Sequence, residues 1–589
     1  MTITHARRLT ANLLTGSFFL LYFIYFNFFN GYHLMFFEQD QFFRLNWHYF
    51  HSFLNRPGGL LVWLNSFFVQ FFIQPWLAAA IVTFTAYLIF ILNRRILRYH
   101  QFYGFLFPFI PPLLLAMALS SQIVGFLPFT ALLVILTVFN GYIALKRKKI
   151  RYAAGPLLII LLYPGTGVFA FVFGLTIILF EMGGAEKKGR FLFSSICVIL
   201  MALAPFVMRS WVYFITWKET FFAPFEFSEN LTTVYISFTA MLFLPCLILL
   251  SIIVKKIEFR WDLKYITAGT IVFLALTFFL LRFSYDSRNN KLQEIDFHVQ
   301  KANWEKVLKL SRKYPGKNQL VLYYTNLALY KTGRMSDQLF FYPQSGTKGL
   351  WLEWKRNEVN PYYGGEIFYY LGFGNEAFRW AFEAMEAKGV NPRSLQRLIV
   401  TAIVNGNNDV ALKYTRILKQ SLFYRKLAIH YERLIADPVL LKGDREIAQL
   451  QSLIPGKDFI SYMSQDDIGF FPLLENHPGN KMAFEYVMAS FLLTKNMNGF
   501  AANIYRLKEL GYDRIPVHFE EAIIIYTGVT KKNIVPEGYA ISQATQQRFH
   551  TYAEILNMYG DNMNIAAQAL NKDFGNTFWF YMQFINLEK

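Results

Sequence analysis

The sequence predicts an all-α protein in two parts: a polytopic helical membrane domain over residues 1–282 and a soluble, tetratricopeptide-like helical-repeat domain over residues 283–589. Three observations predict it. Apolar runs close to the length of a bilayer crossing, about 20 residues, recur through the first half. Charge is split unevenly, since residues 1–282 hold 22 of the 58 Lys and Arg but only 9 of the 39 Asp and Glu. From about Ser287 the pattern changes to amphipathic helices separated by short polar turns.

The elements follow in chain order. The run at 11–30 comes after His5, Arg7 and Arg8, which imitates a signal peptide. It is too long for the apolar core of one, and no small-x-small cleavage site follows, so it reads as an uncleaved first span. Spans are expected near 12–30, 76–93, 103–122, 125–145, 154–163, 167–181, 191–208, 233–254 and 265–282. Alternate loops carry Arg7/Arg8, Arg94/Arg95/Arg98, Lys146 to Lys149 with Arg151, Lys187/Lys188/Arg190, and Lys255/Lys256/Arg260/Lys264. That puts 17 basic residues on one side, against Arg44, Arg56, Arg209, Lys218 and Arg282 on the other. The positive-inside rule then places the N-terminus in the cytoplasm and everything after Arg282 outside. The same distribution accounts for much of the net charge of +19, and with no basic-aromatic recognition pattern a nucleic-acid partner is not expected.

One stretch admits several readings. Gly155 to Phe180 is interrupted by Pro164-Gly165-Thr166-Gly167. Two short helices or a re-entrant hairpin keep the basic loops on one side, whereas a single interrupted span does not, so the first two are preferred. Irregular backbone at that depth must be covered by protein or line a wet cavity. Both cysteines, Cys197 and Cys246, lie in apolar runs and read as buried, inert thiols.

In the second half, helical spacing marks Trp304–Arg312, Leu320–Lys331, Glu376–Ala387, Ser394–Asn405, Val410–Leu422 and Phe484–Thr494. Turns recur at Lys331-Thr332-Gly333-Arg334, Gly374-Asn375-Glu376 and Asn405-Gly406-Asn407-Asn408, with intervals of 41 and 32 residues from Gly333 to Gly374 and from Gly374 to Gly406. Helix pairs closed by such turns resemble tetratricopeptide repeats, though the full consensus is missing. Solenoids of this kind present a surface for a protein or peptide partner, and the alternative is a stabilising cap. The aromatic clusters Tyr362-Tyr363, Phe368-Tyr369-Tyr370 and Phe578-Trp579-Phe580 read as core.

Chemistry concentrates in the first extracytoplasmic loop, residues 31–75. On a helix, Asp40, Arg44, His48, His51 and Asn55 share one arc of about 80°, with Phe43, Trp47, Phe50 and Leu54 beside it. The expectation is one amphipathic interfacial helix ended by Pro57-Gly58-Gly59. Three readings compete: a surface helix meeting water or headgroups, a divalent-metal site from Glu38, Asp40, His48 and His51, and a catalytic carboxylate beside cations.

One span, an extracytoplasmic loop with the acidic pair Glu38 and Asp40, many further spans and a soluble C-terminal domain: this order resembles the GT-C type of membrane glycosyltransferase. More narrowly, the chain is similar to an uncharacterised family of multi-pass proteins from Bacteroidota. The resemblance covers the topology of residues 1–282 and the one loop, where Glu38-Gln39-Asp40 fits a Glu-x-Asp pattern. It implies a bacterial inner-membrane protein with a periplasmic C-terminal domain. It also implies sugar transfer from a polyprenyl-phosphate donor to an envelope acceptor. Glu38 or Asp40 would then be the base, and Arg44, His48, His51 or Arg56 would face the phosphate, joined by Arg209 and Lys218 near Trp211 and Trp217. Those last two serve equally as interface anchors. The runner-up is a membrane-anchored scaffold whose repeats recruit an envelope complex. An ion-coupled carrier is disfavoured because the acidic residues near the apolar runs sit at their ends, as Glu181 does. Gly-x-x-x-x-Gly-Lys-Ser/Thr, Gly-x-Ser-x-Gly and His-Glu-x-x-His are all absent, and Asn230-Leu231-Thr232 is a formal sequon of the kind chance supplies.

Overall fold

The computed structural model describes residues 3–99, 106–122, 124–183, 189–225, 231–253, 263–357, 359–456, 470–559 and 562–586. Expectations for the basic clusters Lys187/Lys188 and Lys255/Lys256/Arg260, and for Asn230 of the sequon, lie outside them. The described residues form α-helices and short 3-10 turns, with one isolated bridge and no strand. Two compact units divide the chain: Met1–Asn290 with Gln420–Phe423, and Lys291–Lys419 with Tyr424–Lys589.

Unit 1 opens with α1 (Ile3–Phe28), followed by three shorter helices, α2 (Gly31–Gln39), α3 (Trp47–Phe53) and α4 (Gly59–Val69). The long α5 (Pro75–Tyr99) packs on α1, and α6 (Ile110–Ser120) and α7 (Leu127–Ala144) complete that layer. Then come α8 (Lys148–Thr166), α9 (Phe169–Met182), α10 (Arg190–Trp211), the short α11 (Trp217–Phe222), α12 (Leu231–Ile253) and α13 (Leu263–Ser284). Where their residues are described, the nine expected spans fall mainly on helices. Among the described residues, five are long and apolar enough to cross a membrane, with windows Ala11–Phe28, Pro75–Tyr99, Leu127–Ala144, Arg190–Trp211 and Thr267–Ser284.

The outer face of these helices is apolar. On α13, Ile271, Val272, Leu276, Phe278, Phe279 and Phe283 are half exposed or more, and only 11% of the Thr267–Ser284 window is buried. On α12, Leu242, Cys246, Leu249 and Ile253 fall on one exposed stripe at helical spacing. Cys197 is buried as expected, but Cys246 is exposed, on that outward stripe of α12. Contiguous apolar surface on this scale is what a helix shows to lipid rather than to water. Unit 1 is the membrane-associated part of the chain.

The 164–167 interruption resolves as an elbow between α8 and α9, which pack on each other. Its backbone is covered by protein. Val168 N–H donates to the Ala223 carbonyl at 2.8 Å, Gly58 N–H to the Pro164 carbonyl at 2.9 Å, and the Tyr163 hydroxyl to the Thr220 carbonyl at 2.6 Å. Gly167 has φ +63°, and a Cβ there would stand 2.1 Å from the Ala223 oxygen, so no other residue fits this close approach. The elbow is therefore a packed junction and not a cavity wall.

The helix α14 (Ser287–Gln300) carries the chain from unit 1 into unit 2, which continues with α15 (Trp304–Ser311), α16 (Gln319–Lys331) and α17 (Met335–Gln338). Next are α18 (Asn360–Tyr370), α19 (Gly374–Lys388), α20 (Pro392–Val404), α21 (Asn408–Leu418) and α22 (Arg425–Ala436). After α23 (Pro438–Gly443) and α24 (Arg445–Ser452), further short helices run from Phe470 to Phe584. From α18 to α22 each helix packs chiefly on its predecessor and its successor. Asn391 caps α20 by accepting from Ser394 N–H at 2.9 Å, and α20 is buried over most of its surface at the centre of the stack. Five of the six expected segments here match their helices to within about two or three residues. The sixth, Val410–Leu422, stops at Leu418.

Candidate active site

The loop after α1 does not form one helix. The α2 helix turns Gly31, His33, Leu34, Met35 and Glu38 inward and ends with Asp40 as its C-cap. Residues 41–46 then run without helical structure, and α3 begins at a new N-cap, Asn46, whose side chain accepts from Tyr49 N–H at 2.7 Å. Tertiary packing explains the break. Phe42 and Phe43 are both buried, and the Phe43 ring meets Tyr49, Trp63 and Phe67 at 5.5–5.7 Å between centroids. The single polar arc expected from Asp40 to Asn55 is thereby cut in two.

The break opens a cleft. A pocket of about 290 Å³ is lined by Phe37, Asp40 and Gln41, by Asn65 and Val69 of α4, by the 124–128 segment entering α7, and by Phe225. Asp40 is the only charged residue among these. Gln41 donates to the Ser66 carbonyl at 3.4 Å, and Asn65 accepts from the Thr130 hydroxyl at 3.3 Å. Glu38 is buried, 5% exposed, and does not line the cleft. The α4 helix, which packs against α7 and α8, was not foreseen as an element, because 11 residues are too few for a span. The visible signal was Asn65-Ser66 inside the apolar run Leu60 to Phe72, since polar residues in such runs mark sites.

None of the remaining candidates lines this cleft. The Arg44 guanidinium lies over the Tyr49 ring at 5.4 Å, and burial pushes the Tyr49 hydroxyl up to about 12 despite the opposing pull of Arg44. His48 and His51 are exposed on α3. Arg209, at the end of α10, stacks over Trp217 at 4.0 Å and donates to the Ile215 carbonyl at 3.1 Å. Lys218 is exposed on α11. The start of α11 is a capping box in which Thr216 accepts from Glu219 N–H and Glu219 accepts from Thr216 N–H at 2.7 Å. Those hydrogen bonds from Thr216 hold the Glu219 carboxyl below the usual carboxylate range, and the positive charge of Arg56 acts in the same direction. Arg56 and α11 are thus electrical neighbours.

The four residues weighed as a metal set do not converge. Glu38 faces the interior of unit 1, while His48 and His51 stand on the far side of the helix break, exposed. Among the described residues no group of three His, Cys, Asp or Glu is placed to hold an ion.

Unit 2 contains a second constellation that sequence reasoning missed. Arg393 on α20 is 8% exposed and donates to both oxygens of Asp296 at 2.9 and 3.1 Å and to the Tyr324 hydroxyl at 3.2 Å. Tyr324 donates in turn to Asp296 at 2.5 Å. One turn on, Arg397 pairs with Glu366 at 2.6 Å and covers the Tyr369 ring at 3.5 Å. These partners come from α14, α16 and α18, far apart in sequence, so no local spacing announces them.

Across residues 6–585 the chain matches the model of one family, described as a family of unknown function (DUF6057). No curated protein and no solved structure matches it.

Proposed function

We propose that this chain, which belongs to that family of unknown function, is a membrane glycosyltransferase of the GT-C kind with Asp40 as its catalytic base. One observation carries the reading: among the described residues, Asp40 is the one charged group on the wall of a cleft, at the end of the short helix α2 that follows the first apolar helix. The acceptor hydroxyl gives its proton to the Asp40 carboxylate as its oxygen attacks the anomeric carbon of a polyprenyl-phosphate sugar. The bond from that carbon to the phosphate oxygen breaks, and the phosphate leaves with the electron pair. Arg44, Arg56, Arg209 and Lys218 supply the positive charge that such a leaving group needs. Glu38, buried away from the cleft, is the weaker candidate for the base. In this reading the N-terminus is cytoplasmic, unit 1 sits in a bacterial inner membrane, and unit 2 is a periplasmic tetratricopeptide-like domain that holds the acceptor.

A positioned base is worth about 10²–10⁴ in rate. Asp40→Asn is expected to leave expression and thermal stability intact while removing the cell's glycan or glycoprotein product. The sequential stacking of α18 to α22 supports the runner-up, a non-catalytic scaffold for an envelope complex. If Asp40→Asn and Glu38→Gln, singly and together, fully complement a deletion, the scaffold reading replaces the transferase.

A further inference from the structure

We infer that the elbow between α10 and α11 is a docking surface for phospholipid headgroups, seated at the boundary between the headgroups and the acyl chains of a bilayer. Large apolar side chains point outward there. Trp211 is 86% exposed and Phe214 fully so, and Val212, Trp217 and Phe222 are each about half exposed. They continue the outward face of α10, where Leu203, Phe206 and Val207 are exposed too. That helix is one of those long and apolar enough to cross a membrane, and Trp211 is its last residue.

Two constraints fix the depth of the elbow. Its side chains are too apolar and too contiguous for water. Its backbone, however, is not helical over residues 213–216, and irregular backbone facing lipid is not tolerated within the hydrocarbon core. Both conditions are met together at the membrane interface, where tryptophan and basic residues concentrate. The inner side of the same segment is held by protein. Tyr213, Thr220 and Ala223 are buried, the Thr220 carbonyl accepts from the Tyr163 hydroxyl, and the Ala223 carbonyl accepts from Val168 N–H. The aromatic side chains therefore project from a fixed base.

Charge selects a phosphate-bearing headgroup as the occupant. Arg209 donates through Nε to the Ile215 carbonyl and lies over the Trp217 ring, which fixes the plane of its guanidinium. Among the described residues its Nη1 and Nη2 make no hydrogen bond, and two such donors in one plane match phosphate oxygens. Lys218 is exposed beside Trp217. The neighbouring carboxylate, Glu219, accepts from the N–H and the hydroxyl of Thr216. A protein partner on this patch would also have to cover the flank of α10 that continues it, which a bilayer does without further contacts. Past α11 the chain reaches Phe225, on the wall of the Asp40 cleft, so the docked elbow holds that wall near headgroup level. The docking holds whether or not Asp40 transfers sugar.

The test uses the full chain with Cys246→Ala, which removes the exposed native thiol, in vesicles of phosphatidylcholine and phosphatidylglycerol. A fluorescent label is placed at Phe214→Cys, with Trp211→Cys as a second site, Ile199→Cys as the control on the flank of α10 and Val529→Cys as the control in water. The hydrocarbon core is about 30 Å thick, so its boundary lies about 15 Å from the midplane, far enough to tell two nitroxide lipids apart. At Phe214→Cys and Trp211→Cys a nitroxide on the headgroup should quench more than one deep in the acyl chain, and aqueous iodide should quench less than at Val529→Cys. At Ile199→Cys the deep nitroxide should dominate. Adding Arg209→Gln/Lys218→Gln should weaken the headgroup quenching at Phe214→Cys. Iodide quenching at both elbow sites equal to that at Val529→Cys overturns the proposal, because the elbow then stands in water. So does dominant quenching by the deep nitroxide, which would make the elbow part of the span. Headgroup quenching unchanged by the loss of both cations overturns the phosphate contact.

Discussion

The two units solve opposite problems with the same helices. In unit 1 large apolar side chains look outward: Phe279 and Phe283 on α13, Leu203 on α10 and Leu20 on α1 are half exposed or more. Its described buried ion pair, Arg151 with Glu181 at 2.8 Å, joins the ends of α8 and α9, where the Tyr142 hydroxyl also donates to Glu181. In unit 2 it is charge that looks inward, with Asp296, Glu366 and Arg393 each less than a tenth exposed at the centre of the helical stack. The difference is one of solvent. Surrounded by hydrocarbon, a helix gains nothing by hiding leucines and loses heavily by placing charge on its flank. Surrounded by water, a helix must bury its apolar face, and a charge taken inside survives only with its partners.

The sharpest way to break that comparison is to remove one partner from the unit 2 network. Arg393→Met keeps the length of the side chain but leaves the buried Asp296 with no cation, held by the neutral donors Tyr324 and Gln300, and it takes one cation away from Glu366. Denaturant melts of Lys291–Lys589 should show a loss of about 3–5 kcal/mol. Adding Asp296→Leu should restore most of it, because the unpaired carboxylate then disappears. Equal destabilisation in the single and double variants would mean that the network holds unit 2 by shape and not by charge.

A somewhat smaller effect separates the solvents of the two units. Ile199 on α10 and Val529 in unit 2 are both more than half exposed, at 53% and 78%. On a water-facing surface either residue would accept arginine within about half a kcal/mol. Near the centre of a membrane helix the same change costs about 2.5–3.5 kcal/mol. Ile199→Arg should therefore cut the yield of folded protein in membranes, while Val529→Arg leaves it unchanged. Similar outcomes for both would remove the lipid reading of unit 1.

Much of the helical framework was legible from pattern. Apolar runs located helices in the first half, five of them long and apolar enough to cross a membrane among the described residues, and turn signals at Gly374 and Gly406 marked the ends of α18 and α20. What stayed hidden depended on contacts between distant parts of the chain. The run from Asp40 to Asn55 has good helical spacing, yet it breaks because Phe43 finds Trp63 and Phe67 in α4. Asp40 could be singled out as a carboxylate beyond the first span. Gln41 and Asn65, which share its cleft, became visible only when that break and α4 were seen. The partners of Arg393 come from three helices as much as 97 residues away, beyond any periodicity argument.

The smallest expected effect tests how far burial alone governs charge in unit 2. Lys331 ends α16 with its ammonium 3.8 Å from the centre of the Tyr370 ring. Burial lowers its pKa to about 8, with Glu446 pulling the value up and Arg397 pushing it further down. In the unfolded chain a lysine titrates near 10.4. Between about pH 8 and pH 10.4 the unfolded state therefore holds a proton that the folded state has released, and stability must rise with pH across that window. Below pH 8 both states are protonated, and the folded state bears the full cost of a charge withdrawn from water. The sign is opposite to that of a lysine gaining an ion pair, whose contribution would fade as pH climbs. Lys331→Met keeps an unbranched chain on Tyr370 but cannot titrate. Thermal melts of Lys291–Lys589 from pH 7.5 to 10 should show the wild type gaining on the variant as pH rises, with the two closest at the alkaline end. A gap that stays constant, or widens with pH, would show that the Glu446 carboxylate outweighs burial at this site.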